Sequence, residues 1–170
     1  KLKSMIRKII RHKNFTHDWI LKHPDLLWDY AYLSYRQDVT KEILDKYRDI
    51  KWNFILLSKN PSFQKSWLDT LPNAGWSYPI LSSMKNFDFD CLREYPYKPW
   101  CLNSLIRNDN FTIDLIDELP YLNWNYYILT DKITNLDYLK KYPNKNWNLK
   151  ILSNKFNVFD LQYIIRNKPI

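Results

Sequence analysis

The chain has 170 residues, 45% of them hydrophobic and 17% aromatic, and a formal charge of +8. That length suits one ordinary domain with a sizeable core, and so many Trp, Tyr and Phe side chains exclude an intrinsically disordered chain, because burying them offsets the entropy of ordering. The charge is not a distributed nucleic-acid signal: residues 1–13 hold Lys1, Lys3, Arg7, Lys8, Arg11 and Lys13 with no acid, and the remaining 157 carry 20 basic against 18 acidic groups.

The first predicted element is a basic amphipathic helix over 1–13. Leu2, Met5, Ile6, Ile9 and Ile10 follow the i, i+3, i+4, i+7, i+8 spacing of one apolar stripe, and Lys3, Arg7, Lys8 and Arg11 fill the other side. The favoured reading is a cap that covers the open end of a repeat array. Contact with an anionic membrane surface or with nucleic acid are the alternatives.

From residue 14 to residue 155 the sequence repeats. Trp28, Trp52, Trp76, Trp100 and Trp124 are 24 residues apart, and Trp147 follows at 23. Pro24, Pro72, Pro96, Pro120 and Pro143 each lie four residues before one of these tryptophans. Leu33, Leu57, Leu81, Leu105, Leu129 and Leu152 lie five after. Phe15, Val39, Phe63, Phe87 and Phe111 keep one phase thirteen residues ahead of the next Trp. Such a period marks a repeat architecture in which each unit is too small to bury its own core.

Each unit contains two helix starts. Asp29, Asn53, Ser77, Asn125 and Asn148 follow the repeat Trp as N-caps, so that Trp and Leu form a hydrophobic staple around the cap. The second start pairs Phe15 with Ile20, Val39 with Leu44, Phe63 with Leu68, Phe87 with Leu92, Phe111 with Ile116 and Ile133 with Tyr138. Its expected caps are Thr16, Thr40, Gln64 (or Ser62 in its place), Asp88, Thr112 and Thr134, heading a helix of about nine residues. Proline ahead of each Trp ends that helix. Arg48 stands at the proline position of the second unit, and the fifth unit is shortened between Leu129 and Ile133. Residues 156–170 drift out of phase and read as an atypical terminal repeat.

The segment 52–61, with Leu57-Ser58-Lys59-Asn60-Pro61, carries the fullest form of a pattern W-[ND]-x-x-x-L-S-x-N-P; Trp28-Asp29, Leu33-Ser34, Leu81-Ser82, Trp147-Asn148 and Leu152-Ser153 carry parts of it. This pattern resembles the Trp-anchored tandem helical repeats of giant, nucleocytoplasmic large DNA viruses. Its period is also similar to that of the leucine-rich repeat variant. The resemblance covers roughly residues 14–155, and a composition with one Gly, two Ala and much Lys, Asn, Ile and Tyr agrees with AT-rich coding. It implies viral origin, a virion or infected-cell cytoplasmic setting, and a non-enzymatic role. It supplies no catalytic residues, and only one Asn-Pro is present in this diverged member.

The expected fold is all-α: an α-solenoid of about six stacked two-helix repeats, wound as a right-handed superhelix, with Trp28, Trp52, Trp76, Trp100, Trp124 and Trp147 as its core. Trp19 and Trp67 share one slot of the second helix and read as core too. Possible partner-binding residues are Lys3, Arg7, Lys8, Arg11 and Lys13, with Arg36, Lys59, Lys85, Arg107 and Lys155 as a basic ladder near the ends of the first helices. Complementing the helix dipole is the simpler role for that ladder. Tyr97, Tyr121, Tyr126 and Tyr127 are either contact anchors or partly buried rings, the second being the usual behaviour of Tyr. Asp114, Asp117 and Glu118 form the one carboxylate cluster. His12, His17 and His23 have no ligand-spaced companions, and a single Gly allows no phosphate loop. No cofactor, metal or catalytic residue is expected.

Cys91 and Cys101 read as free thiols in a reducing compartment, and no apolar run reaches membrane-spanning length. The sequence opens on Lys1 rather than Met, so a fragment or an incompletely described chain is expected. Other proteins are the favoured partners, nucleic acid the second choice, and a membrane surface the least favoured.

Overall fold

A computed structural model of the chain describes residues 2–157 and 160–162. Among those residues every regular element is a helix. The chain divides into two compact units, Lys1–Met84 and Lys85–Ile170, each holding three of the repeat tryptophans. The first contains α1 (Leu2–Arg11), α2 (Asp18–Lys22), α3 (Tyr30–Ser34), α4 (Lys41–Lys46), α5 (Phe54–Leu57), α6 (Ser66–Thr70) and α7 (Tyr78–Ser82). The second contains α8 (Asp90–Glu94), α9 (Leu102–Arg107), α10 (Leu115–Glu118), α11 (Tyr126–Leu129), a 3₁₀ turn at Thr130–Lys132, α12 (Asp137–Lys141) and α13 (Leu149–Lys155). Most of 156–170, read as a terminal repeat, lies outside the described residues.

One local device recurs at all six repeat tryptophans. Each indole is 4–9% exposed. Its Nε1–H donates to the carbonyl five residues earlier, on His23, Tyr47, Leu71, Tyr95, Leu119 or Tyr142, at 2.8–3.0 Å. That residue ends the preceding helix, with φ between −115° and −133° and ψ between 44° and 64°. A following proline favours this departure from the α region. Tyr47 adopts nearly the same backbone ahead of Arg48, so proline reinforces the turn and the indole bond closes it. Each Trp N–H then bonds the carbonyl two residues back at 2.7–3.0 Å, and among the described residues none has positive φ, which makes this an inverse γ-turn. Pro99 and Gly75 both tolerate its central position.

The staple leucines are all 0% exposed. Aromatic rings pack edge-on or tilted against the indoles: Phe15 on Trp28, Phe63 on Trp76, Phe87 on Trp100 and Phe111 on Trp124, with centroids 5.3–6.1 Å apart. Val39 has no ring, and the His17 imidazole lies 6.0 Å from Trp52 instead.

Successive first helices are joined by buried hydroxyls. Ser34, Ser58 and Thr130, all 0% exposed, each donate to the carbonyl four residues back in their own helix. Their oxygens accept the N–H of the next repeat's cap residue: Asn53 at 2.8 Å, Ser77 at 2.9 Å and Asn148 at 3.0 Å. A buried N–H has to be paired, so the Ser of the L-S motif acts as a rung between layers. Ile106 stands at the same position and offers no hydroxyl. Asn60, also 0% exposed, donates from Nδ2 to the carbonyls of Ser34 at 2.9 Å and Arg36 at 2.8 Å, while its Oδ1 accepts the Ser62 N–H. The Asn-Pro motif is thus a buried clamp on the end of the preceding helix.

Several expectations need correction. The second helices are four to six residues long, not about nine. Their entry is a tight turn with i→i+3 bonds, such as Trp19 N–H to Thr16 and Trp67 N–H to Gln64, which uses up the expected first turn. For the same reason only Thr40 caps with its side chain, accepting from Ile43. Thr16, Gln64, Asp88, Thr112 and Thr134 lie ahead of the helix start, and Ser62 bonds the Gln37 carbonyl rather than capping. Asp29, Asn53, Asn125 and Asn148 do cap the first helices. Ser77 holds that backbone position without a side-chain bond, and Pro79 in the first turn removes one donor that would need it. Tyr138 is not the core partner of Ile133. One extra residue shifts the register, so Leu139 is buried at 4%. Finally, Trp19 is 41% exposed although Trp67 is 1% exposed.

Candidate functional site

The basic N-terminal segment forms α1, whose apolar stripe is only half used. Ile6 and Ile10 are 0% exposed, whereas Leu2 and Met5 remain open. Arg7 Nε meets Asp29 Oδ2 at 2.7 Å, and Arg11 donates to the Tyr32 hydroxyl at 3.2 Å with its guanidinium 5.2 Å over that ring. Both partners belong to the first helix of the first repeat, Asp29 as its cap and Tyr32 within α3. Two of the proposed partner-binding cations, though themselves exposed, are therefore paired within the chain and fasten α1. Lys3, Lys8 and Lys13 are exposed.

The basic ladder does not form one row. Arg36 and Lys155 stand eight residues after a repeat Trp, in register with Asn60, Met84, Asn108 and Lys132. Side chains at this position reach back to carbonyls that close the preceding layer. Arg36 bonds the Ile10 carbonyl, and Lys132 Nζ bonds that of Asn108 at 3.1 Å. Lys155 Nζ bonds those of Thr130, Asp131 and Ile133 at 2.6–3.3 Å. These cations do complement a helix C-terminus, but that of the layer before their own, which for Arg36 is α1. Lys59 and Arg107 lie one residue earlier and Lys85 one later, and all three are exposed. Superposing the repeats on Trp brings out the donor row, because the eighth position carries an N–H-bearing side chain in five of six units. Grouping by charge near the helix end mixes three registers.

The carboxylate cluster is engaged layer to layer. Asp114 Oδ1 accepts the Tyr138 hydroxyl at 2.7 Å, Asp117 takes Lys141 at 2.7 Å and the Tyr142 hydroxyl, and Glu118 takes Arg93. The Lys141 ammonium and the Tyr142 hydroxyl hold the Asp117 carboxyl below its ordinary range. The phenol of Tyr142 is pushed up to about 12 by its bond to Asp117 and then by burial, and burial with the Asp114 bond pushes Tyr138 up as well. Both phenols stay protonated donors. The first unit repeats the device, Lys46 and the Tyr47 hydroxyl meeting Asp18.

Tyr97 is 96%, Tyr121 60% and Tyr127 52% exposed, so these three are open rings rather than partly buried ones. Tyr97 and Tyr121 stand on the turns ahead of a repeat Trp, and Tyr127 lies on the exposed side of α11. Tyr126 packs at 5.0 Å on Trp147. His17 is 5% exposed and its Nε2 has no hydrogen-bond partner. Burial lowers its pKa, Asp38 and Asp18 opposing and Arg36 adding. Its rings of contact are Phe15, Tyr47 and Trp52. Cys91 is buried and Cys101 half-buried, and neither is in a disulfide. A hydrogen bond from Ser104 lowers the Cys101 pKa.

The first layer also leaves a cleft of about 380 Å³ between α1 and α2, lined by Met5, Lys8, Ile9, His12, Phe15 and Trp19. Among the described residues no group of His, Cys, Asp and Glu converges as metal ligands do, and no helix is long and apolar enough to cross a membrane. Comparison with known proteins gives no match: no family model, no curated protein and no solved structure is similar to this chain.

Proposed function

We propose that the chain is a non-enzymatic scaffold for protein–protein interaction, a right-handed α-solenoid of about six two-helix repeats. The carrying observation is that one indole-to-carbonyl bond closes all six turns, at 2.8–3.0 Å each time. Layers joined by side chains at fixed register are how a repeat protein builds an extended surface rather than an enclosed active site. The acids and phenols that could do chemistry are tied to neighbouring layers, and that supports a binding role over a catalytic one. The placement in a giant-virus virion, or as an adaptor in infected-cell cytoplasm, rests on the pattern W-[ND]-x-x-x-L-S-x-N-P alone.

Nucleic-acid binding is the rival reading. Arg7, Arg11, Arg36 and Lys155 are all engaged within the protein, which weakens it. Binding to duplex and single-stranded nucleic acid over a salt series tests the choice, using the full chain and the exposed triple variant Lys3→Gln, Lys8→Gln, Lys13→Gln. Weak binding that the triple variant abolishes fits the scaffold reading. A steep salt slope retained by that variant overturns it. Small-angle scattering tests the solenoid: an elongated particle is expected, and a near-spherical one would sink it.

A further inference from the structure

The cap on the first repeat covers only half of the layer beneath it. In the body of each unit, a second helix lies against the second helix before it. α4 joins α2 through Lys46 and Tyr47, and α12 joins α10 through Lys141 and Tyr142. The slot four residues after the phase-setting Phe or Val is then covered to differing degrees, Ile43 being half-buried and Trp67 1% and Leu115 2% exposed. α1 instead pairs with the first-helix row, through Arg7 to Asp29, Arg11 to Tyr32 and the Ile10 carbonyl to Arg36. No described helix precedes α2 in its own row. The outer face of α2 is accordingly open. Trp19 is 41% exposed there, in the cleft it shares with Met5 and Ile9 of α1.

The chain itself displays what such a face accepts. Six and five residues before a repeat Trp stand Lys46 and Tyr47, and again Lys141 and Tyr142, and each pair takes a carboxylate from the preceding second helix. The same positions in the first repeat are Lys22 and His23, both exposed. No described carboxylate from a preceding second helix meets them. Lys8 lines the opposite wall of the cleft, on a segment with no acid. An apolar slot with Lys8 in its wall and exposed Lys22 three residues beyond Trp19 on α2 is complementary to a helix with one apolar stripe flanked by Asp or Glu. Because Trp19 and Ile9 line a concavity rather than a protruding ridge, the shape suits an inserted helix better than a lipid surface.

We infer that the α1–α2 cleft docks an acidic amphipathic helix of a protein partner, its apolar side chains beside Trp19 and its carboxylates on Lys22 and Lys8. The inference rests on the scaffold reading and gives that scaffold a site and a partner chemistry.

The test uses the full chain as bait for a display library of amphipathic helical peptides randomised on their polar faces. The peptide most enriched is synthesised and titrated against the wild type, Trp19→Ala and Lys22→Glu. Both variants alter exposed side chains, and far-UV circular dichroism confirms folding. Enrichment of Asp and Glu is expected, with affinity falling about tenfold or more in each variant, as for an interface anchor. Peptides that bind both variants as well as the wild type overturn the cleft assignment and leave the scaffold reading standing. Neutral or basic peptides that need Trp19 overturn the acidic chemistry. Failure to enrich any peptide overturns the inference, while the scaffold reading is judged separately by the salt series. Two further arms identify other occupants: adsorption to phosphatidylserine vesicles, or sedimenting self-association, lost in Trp19→Ala, means a membrane or a second copy fills the cleft and the inference fails.

Discussion

Trp19 and Trp67 occupy the same point of two equivalent helices, yet one is 41% exposed and the other 1%. Neither the residue nor its helix differs in kind. α6 has α4 in front of it, and α2 has only the flank of α1, which is bound to the other row of helices. Burial in a layered protein is a property of the neighbour supplied, so the first layer shows at Trp19 the face that α6 hides at Trp67. The residues around it are also those a later layer would use to hold its predecessor.

The sharpest way to break this comparison is to truncate one buried and one open indole. Trp76→Ala removes a ring packed edge-on by Phe54 and Phe63 and bonded to the Leu71 carbonyl. It should cost about 3–5 kcal/mol in denaturant melts. Trp19→Ala should cost less than about 1 kcal/mol, since its ring closes no turn and is half open. Similar losses for the two would mean the first layer is not an open face.

Next in size is the buried clamp. Asn60→Ala leaves the Ser34 and Arg36 carbonyls without their Nδ2 donor and should destabilise by about 1–3 kcal/mol, read by the same melts. Ser58→Ala should cost about 1 kcal/mol, because the Ser77 N–H loses its acceptor while little volume is removed. Ile106 already does without that hydroxyl in the second unit, so a larger penalty at Ser58 would show that the rung matters more than a repeat lacking it suggests.

The smallest effect is a pH dependence confined to the first layer. His17 is buried without a partner for Nε2, and its pKa is lowered from 6.5 in the folded chain. Between that lowered value and about 6.5 the unfolded chain binds the extra proton, so stability falls as pH drops through this window and is flat above it. Asp38, Asp18, Arg36 and the Tyr47 phenol surround the ring. Melts of the wild type and His17→Phe across the window should diverge, the variant being the flatter. An equal slope in both would place the titration elsewhere.

Local signals were legible. Trp, the residue four before it and the Leu five after it act within one turn, and the cap chemistry of Asp29, Asn53, Asn125 and Asn148 follows from side chains that bond backbone three residues on. The second helices were harder to bound, because a 3₁₀-type entry and an α-helical one present the same apolar spacing over four residues. Leu139 replaced Tyr138 in the core for a related reason, an inserted residue whose place among 134–138 no periodicity marks. Arg36 and Lys155 read as complements of a helix dipole, but the carbonyls that receive them are 22–26 residues away, so their acceptors were not legible.

The sequence by itself determined that helices recur with a Trp-closed turn between them, because an indole, its carbonyl acceptor and the staple leucine lie within eleven residues of chain. Only the tertiary structure decided which polar groups tie one layer to the next and which face is left uncovered. Those outcomes depend on the residue presented by an adjacent layer, and adjacency is a property of the packed molecule rather than of any segment in it.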